Sequence, residues 1–196
     1  MSSRFGVGNS IYHHGTRVQV VDHVPFGAYP IDLLRELGGW DERLHANEDF
    51  ELDYRIGREG HELLFDPAVA IDWQNRQTLG DLFRQYRRYG RGKARVAVLH
   101  PMSVKPRHLA APALVASWLL AVALAPVWPA FAAVALVPYA AGVLVASALT
   151  ARKIQGWEGR LTIPAAFLAM HVGWGIGFWE GLAGEIAGRI RSGSRR

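Results

Sequence analysis

The chain has 196 residues, half of them apolar, a fifth charged and 11% aromatic, so it can fill a core and is not a disordered chain. Its 21 Gly and 10 Pro show no triplet period, and the lack of cysteine excludes a disulfide framework, a thiolate zinc site and a cysteine nucleophile. A net charge of +5 and a pI near 9.9 suggest nucleic acid or an anionic membrane surface as partner, and the distribution of charge decides between them.

Residues 1–81 hold seven basic against fourteen acidic residues, an acidic surface that argues against nucleic acid. Within them Thr16 to Val24 reads as a β-strand, a β-branched run closed by Pro25. Pro30 starts and Gly38-Gly39 ends a helix over Ile31 to Leu37, the expected asymmetry of the two residues. Asn47 is the predicted N-cap of a second helix, Glu48 to Glu59, ended by Gly60. Glu62 to Phe65 and Ala68 to Ile71 read as short strands around Asp66-Pro67. A third, amphipathic helix runs from Leu79 to Leu99 with a predicted interruption near Gly90 and Gly92. The order is α/β, but too short for a complete doubly wound sheet, and it reads as the second half of one.

Leu82 to His108 carries eight basic residues and no acid, and Leu109 to Ala151 is a run of 43 residues without a charge. One bilayer crossing takes about 20 residues, so the run is two spans. Pro126-Val127-Trp128-Pro129 is the natural turn, giving a hairpin of Leu109 to Ala125 and Ala130 to Thr150. In a small soluble protein, helices apolar all round would have to be covered on every side. A third apolar segment, Leu161 to Gly184, contains His171, Glu180 and glycines at 173, 175, 177, 181 and 184. Such glycines permit close helix packing in membranes, with His171 expected to be hydrogen-bonded between helices and Glu180 near the interface. Two crossings keep Arg152, Lys153 and Arg160 on the side of the basic stretch, as the positive-inside rule requires, whereas a third puts Arg189, Arg191, Arg195 and Arg196 opposite. The segment is therefore either a third span that breaks the rule or a re-entrant or interfacial helix, and the third span is the preferred reading.

Asn47-Glu48-Asp49 places two carboxylates in the first turn of a helix, where negative charge is favoured and a proton acceptor is well placed, although acids are also ordinary helix-start residues. Gln85-Tyr86-Arg87-Arg88-Tyr89 puts an amide, guanidinium groups and aromatic faces on one helix, and the arginine fork suits a pyrophosphate. A basic amphipathic helix before a membrane hairpin is also a surface anchor on anionic lipid. Both roles hold if Arg84, Arg87, Arg91 and Lys93 face lipid while Arg88 turns inward. His13 and His14 with His23 do not form a metal site, because adjacent strand residues point to opposite faces.

Arg4-Phe-Gly-Val-Gly-Asn9, Val24-Pro-Phe-Gly-Ala-Tyr29, Gly38-Gly-Trp-Asp-Glu42, Asn47-Glu-Asp-Phe-Glu-Leu52 with Tyr54-Arg55, Gln85 to Gly90 and His171 to Gly181 succeed one another in an order and spacing that resemble the family-2 glycosyltransferases. Within that family the likeness is to the membrane-attached exopolysaccharide enzymes of the succinoglycan-biosynthesis type. The resemblance implies an α/β chain that is the C-terminal half of a GT-A (nucleotide-diphospho-sugar transferase) fold followed by transmembrane α-helices. Residues 1–81 would be the partial catalytic domain, 82–108 basic interfacial helices, 109–184 the transmembrane region and 185–196 a basic tail. The resemblance gives Asp49 the role of general base with Glu48 beside it. It assigns Gln85, Arg88 and Tyr89 to the donor diphosphate, Tyr standing where the family has the Trp of Gln-x-x-Arg-Trp, and Gly27, Gly39, Trp40 and Asp41 to the acceptor.

The implied partners are a nucleotide-sugar donor, a lipid-linked or polysaccharide acceptor and a membrane, with no nucleic acid. The implied location is the cell membrane, multi-pass, with the catalytic part cytoplasmic. The family's divalent metal, Mg or Mn, is held by an Asp-x-Asp that this sequence does not contain. The resemblance therefore implies the back part of a longer enzyme, inactive without its front half. The competing reading is a non-catalytic membrane-anchor or assembly subunit that binds a glycan-lipid or a partner enzyme.

Overall fold

The computed structural model describes residues 11–13, 15–72, 74, 76–154 and 156–193. The Arg4 to Asn9 segment, His14, Arg195 and Arg196 lie outside the described residues. A short 3-10 turn precedes strand β1 (Gln19–Val21), followed by helices α1 (Ile31–Leu37) and α2 (Glu48–Arg58), strand β2 (Leu63–Phe65) and the long helix α3 (Leu79–Leu99). A 3-10 turn at Pro101–Ser103 leads into α4 (Pro106–Leu124), α5 (Pro129–Ala151) and α6 (Trp157–Gly193). The described residues are mostly helical. Their sheet is a two-stranded antiparallel ribbon in which Gln19 faces Phe65 and Val21 faces Leu63.

Local punctuation sets the first elements. Pro30 precedes α1, and Gly38 closes it in the left-handed conformation at φ 75°, its N–H bonded to Arg35 O. Thr78 caps α3, its hydroxyl accepting the Asp81 N–H at 3.0 Å. Ala68 to Ile71 forms no strand, because a strand needs a ladder partner and the ribbon ends at β2. The core of this region is made by Leu52, Ile56 and Leu63, with Val21, Val24, Tyr29, Leu33, Leu34 and Leu37 packed around them. Leu52 and Ile56 are fully buried, so truncating either to Ala costs about 2–5 kcal/mol.

The expected break in α3 at Gly90 and Gly92 is absent, because both glycines are contact points. A β-carbon at Gly90 would run into the Trp174 carbonyl of α6, and one at Gly92 into the Ala46 carbonyl. The α6 side matches: a β-carbon at Gly173, Gly177 or Gly181 would strike the carbonyl of Phe83, Arg87 or Arg91 respectively. Glycines four residues apart share a helix face, so α3 and α6 lie backbone to backbone along that stripe. Leu82 with Ala166 and Met170 closes one end of the seam. Arg87 and Arg91 on Glu180, and Arg95 on Glu185, line its edge.

The helices α4, α5 and α6 are each long and apolar enough to cross a membrane. Val122, Val134, Val137 and Leu144 are more than 60% exposed, a surface suited to lipid. Tyr139 and His171 share a hydrogen bond of 3.1 Å between α5 and α6, as the interhelical reading of His171 expects. Glu180 takes both arginines instead of standing alone at an interface.

Candidate active site

Helix α2 organises the site through four acidic side chains that do different jobs. Asp53 is 1% exposed and accepts from the Tyr29 hydroxyl at 2.7 Å, the Val24 N–H at 2.9 Å and His23 Nδ1 at 2.7 Å. Three partners on one buried carboxylate pin the Val24-to-Tyr29 loop to the helix. Burial, then the bond to Asp53, then the charges of Asp53 and Asp49 push the Tyr29 phenol well above its ordinary range, so it remains a donor. Gly27 is packed on that phenol, and a β-carbon there would lie 2.5 Å from the hydroxyl.

Glu51, also buried, pairs with Arg55 through two bonds of 2.8 Å and meets His100 Nε2 at 2.8 Å. Arg55 spends its remaining donors on Leu37 O at 2.6 Å and Gly39 O at 2.5 Å. That fixes the Gly38-Gly39-Trp40 turn, in which Gly39 adopts φ 70°, a conformation that favours glycine. The turn then presents Trp40, whose indole N–H donates to Asp49 Oδ1 at 3.1 Å and whose ring meets Tyr29 edge-on at 6.0 Å. Asp49 Oδ2 has no hydrogen-bond partner among the described residues. Gly27, Trp40 and Asp49 are therefore linked through Tyr29. Asp41 turns away to Arg43, which binds it through the backbone N–H and two guanidinium nitrogens. The Arg43 bond holds the Asp41 carboxyl down at about 2. Asp41, Gly39 and Trp40 line a shallow pocket of about 320 Å³ with Arg43, Arg55 and His100.

Asn47 does not cap α2 with its side chain. Its backbone sits in the left-handed region at φ 64°, and its amide donates to the Tyr89 carbonyl of α3 at 2.9 Å. The close approach at Gly92 allows this contact, which joins the Asn47-Glu48-Asp49 turn to the Gln85-to-Tyr89 helix. On that helix Gln85 donates to the Tyr89 hydroxyl at 2.9 Å. Glu48 lies beside Asp49 with its Oε2 shielded and without a partner among the described residues.

The basic face of α3 differs from expectation. Arg88 is exposed, with no ion-pair partner among the described residues, whereas Arg87 and Arg91 bind Glu180 and Lys93 is buried over the Phe50 ring. Arg88 stands on the exposed face of α3, away from the seam with α6. Sequence reasoning gave no role to Asp53, Tyr29 or Glu51, rejected His23 as a metal ligand and took Lys93 to face lipid; the four-residue spacings Asp49/Asp53 and Glu51/Arg55 were the available signal. No three His, Asp or Glu side chains gather to hold an ion among the described residues, which do not fit a divalent-metal site.

Residues 26–175 match the glycosyl transferase family group 2, and the chain belongs to that family. It is 31% identical over 191 residues to the succinoglycan biosynthesis protein ExoA of Rhizobium meliloti (strain 1021), covering 92% of this chain and 54% of that protein. It is also 32% identical over 102 residues to the pre-mycofactocin glycosyltransferase of Mycobacterium tuberculosis, in strains CDC 1551 / Oshkosh and ATCC 25618 / H37Rv, covering 51% of this chain and 22% of that protein. The chain spans about half the length of the first of these relatives and about a fifth of the other. No solved structure matches it.

Proposed function

We propose that this chain supplies the base, the diphosphate arginine and the membrane helices of an inverting glycosyltransferase acting on a nucleotide-sugar. The observation that carries the reading is the Asn47 bond to the Tyr89 carbonyl, which couples the carboxylate turn to the arginine helix. Asp49 Oδ2 takes the proton of an acceptor hydroxyl while Trp40 steadies Oδ1. The hydroxyl oxygen attacks the anomeric carbon, the bond from that carbon to the diphosphate breaks, and the departing charge is met by Arg88. Gln85 fixes Tyr89 beside it. Gly27, Gly39, Trp40 and Asp41 form the acceptor side.

Residues 1–81 are taken as the acceptor-side part of a GT-A-type fold, 82–108 as the interfacial segment, 109–184 as the membrane region and 185–196 as a basic tail. The protein is placed in the cell membrane, multi-pass, with Asp49 on the cytoplasmic side. The acceptor is a lipid-linked glycan or growing polysaccharide, and the succinoglycan name of one relative supports exopolysaccharide synthesis. A polypeptide of these 196 residues alone is expected to transfer no sugar.

The test is nucleotide-sugar-dependent transfer in membranes expressing the gene from its native locus. Asp49→Asn and Arg88→Ala are each expected to lower the rate by about 10²–10⁴-fold, the usual contribution of a general base or a charge-stabilising group. Unchanged transfer in both overturns the catalytic reading in favour of an anchoring subunit.

A further inference from the structure

The pocket of about 320 Å³ beside the Trp40 turn takes its walls from the end of α1 and the turn after it, from Glu51 and Arg55 of α2, and from Leu99 and His100 at the end of α3. Its charges are already matched in pairs. Arg43 closes on Asp41 through three bonds and Arg55 on Glu51 through two, so the lining holds a carboxylate for each of its guanidinium groups. An anion entering it meets repulsion beside every attraction.

The pairs leave over a set of single polar atoms. Arg43 Nη1, a donor, has no partner among the described residues, and Asp41 Oδ2 accepts one bond from Arg43 with lone-pair capacity to spare. His100 Nε2 faces the acceptor-only Glu51 carboxylate, so it carries the ring proton. That leaves Nδ1, which has no partner among the described residues, as an acceptor. One donor and two acceptors of this kind match sugar hydroxyls, each of which gives and takes a hydrogen bond. The apolar part of the lining is Trp40, 42% exposed, with Leu37 and Leu99. An indole face takes the C–H side of a pyranose ring. The same indole donates its N–H to Asp49, so a ring in the pocket is separated from the proposed base by one side chain.

We propose that this pocket is a subsite for a neutral sugar ring of the acceptor, the ring next to the one whose hydroxyl faces Asp49. Trp40 is its stacking face, and Arg43 and His100 are its specificity-determining residues. The acceptor it selects is a glycan of at least two sugars, not a single sugar. Calling the ring part of an acceptor rests on the glycosyl-transfer reading; the binding of a neutral sugar stands on the pocket's own contacts.

The test is binding to the full chain purified in detergent, without donor, read by saturation-transfer NMR. The separate probes are glucose, galactose and mannose, the disaccharides cellobiose, lactose and mannobiose, glucuronic acid and inorganic phosphate. At least one disaccharide is expected to saturate and to bind more tightly than the single sugars, with glucuronic acid no tighter than glucose. Arg43→Gln is expected to weaken the disaccharide about tenfold and His100→Phe about fivefold, the loss of a charged and of a neutral hydrogen bond respectively. Circular dichroism verifies folding, and if the His100 variant does not fold, the exposed Arg43 decides the matter. Unchanged affinity in the folded variants, tighter binding of glucuronic acid or phosphate than of glucose, or no binding of any neutral sugar overturns the subsite. Equal affinity for single sugars and disaccharides upholds the sugar contacts and overturns the second ring. Transfer in membranes is measured separately: Arg43-dependent sugar binding in a protein whose Asp49→Asn variant still transfers overturns the catalytic reading and leaves the subsite intact. Asp49-dependent transfer with sugar binding indifferent to Arg43 and His100 does the reverse.

Discussion

Around α2, positions are set by charged side chains: Asp53 holds one loop through three bonds, and Glu51 with Arg55 holds another. Between α3 and α6 the same task falls to glycine, with carbonyls of one helix occupying the space where side chains of the other would stand. The first arrangement is graded, since each bond can weaken separately and responds to protonation. The second is steric, and a single methylene is enough to push the helices apart. The two helices that carry the proposed base and the proposed diphosphate arginine are thus positioned by different physics, joined at Asn47 and Tyr89.

The sharpest way to break the contrast is Gly177→Leu, which forces a side chain into the Arg87 carbonyl. A loss of about 3 kcal/mol or more, read as thermal unfolding in detergent, is expected because the obstacle is backbone. Gly184→Ala on the same helix meets nothing within 4 Å and is expected to leave stability unchanged or raise it by up to about 1 kcal/mol. Asp53→Asn tests the polar side: an amide cannot accept from three donors as a carboxylate does, and a loss of about 2–3 kcal/mol in chemical denaturation is expected.

Lys93→Met probes the group that belongs to neither scheme. The folded state lowers the Lys93 ammonium to about 7 from 10.5, so between those values the unfolded chain binds more protons and stability rises with pH. The penalty is complete below 7 and gone above 10.5. The variant is therefore expected to melt higher than the parent at pH 6 by an amount on the order of 2 kcal/mol, with the difference shrinking toward pH 10. Among the charged groups the smallest effect is Glu180→Gln, expected to cost about 1 kcal/mol or less, because its arginine partners are partly exposed, and to do so only at low salt.

Elements governed by local chemistry were legible in the sequence. Helix α1 occupies Ile31–Leu37 as read, since Pro30 and Gly38 are sufficient to start and stop it. The hairpin of α4 and α5 falls within three residues of its expected bounds, because a charge-free run and two prolines leave little choice. Features that depended on distant partners were not legible. Gly90 and Gly92 read as breakers, yet their role is defined by Trp174 and Ala46. Lys93 read as one more lipid-facing cation in a basic run, whereas it is buried against Phe50. Of the candidate site, Asp49, Trp40 and Gly27 were named from motif order, and Tyr29 is what brings them together. Asp53 was missed because nothing in its neighbourhood along the chain announces that His23, Val24 and Tyr29 return to it.

Helix α6 has 37 residues, which makes it about 55 Å long, nearly twice the thickness of a bilayer's hydrocarbon core of about 30 Å. A helix of that length crossing a membrane leaves about 25 Å outside it, or lies at a steep tilt, and its stretch from Gly173 to Gly181 is seamed closely to the backbone of α3. Such a rod is a lever. A tilt of about 5° swings the far end of a 25 Å arm by about 2 Å, and a contact made of backbone passes that movement on without slack. In an orientation that crosses a bilayer, a change of lipid thickness would reach the turn that carries Asp49 by way of Tyr89 and Asn47.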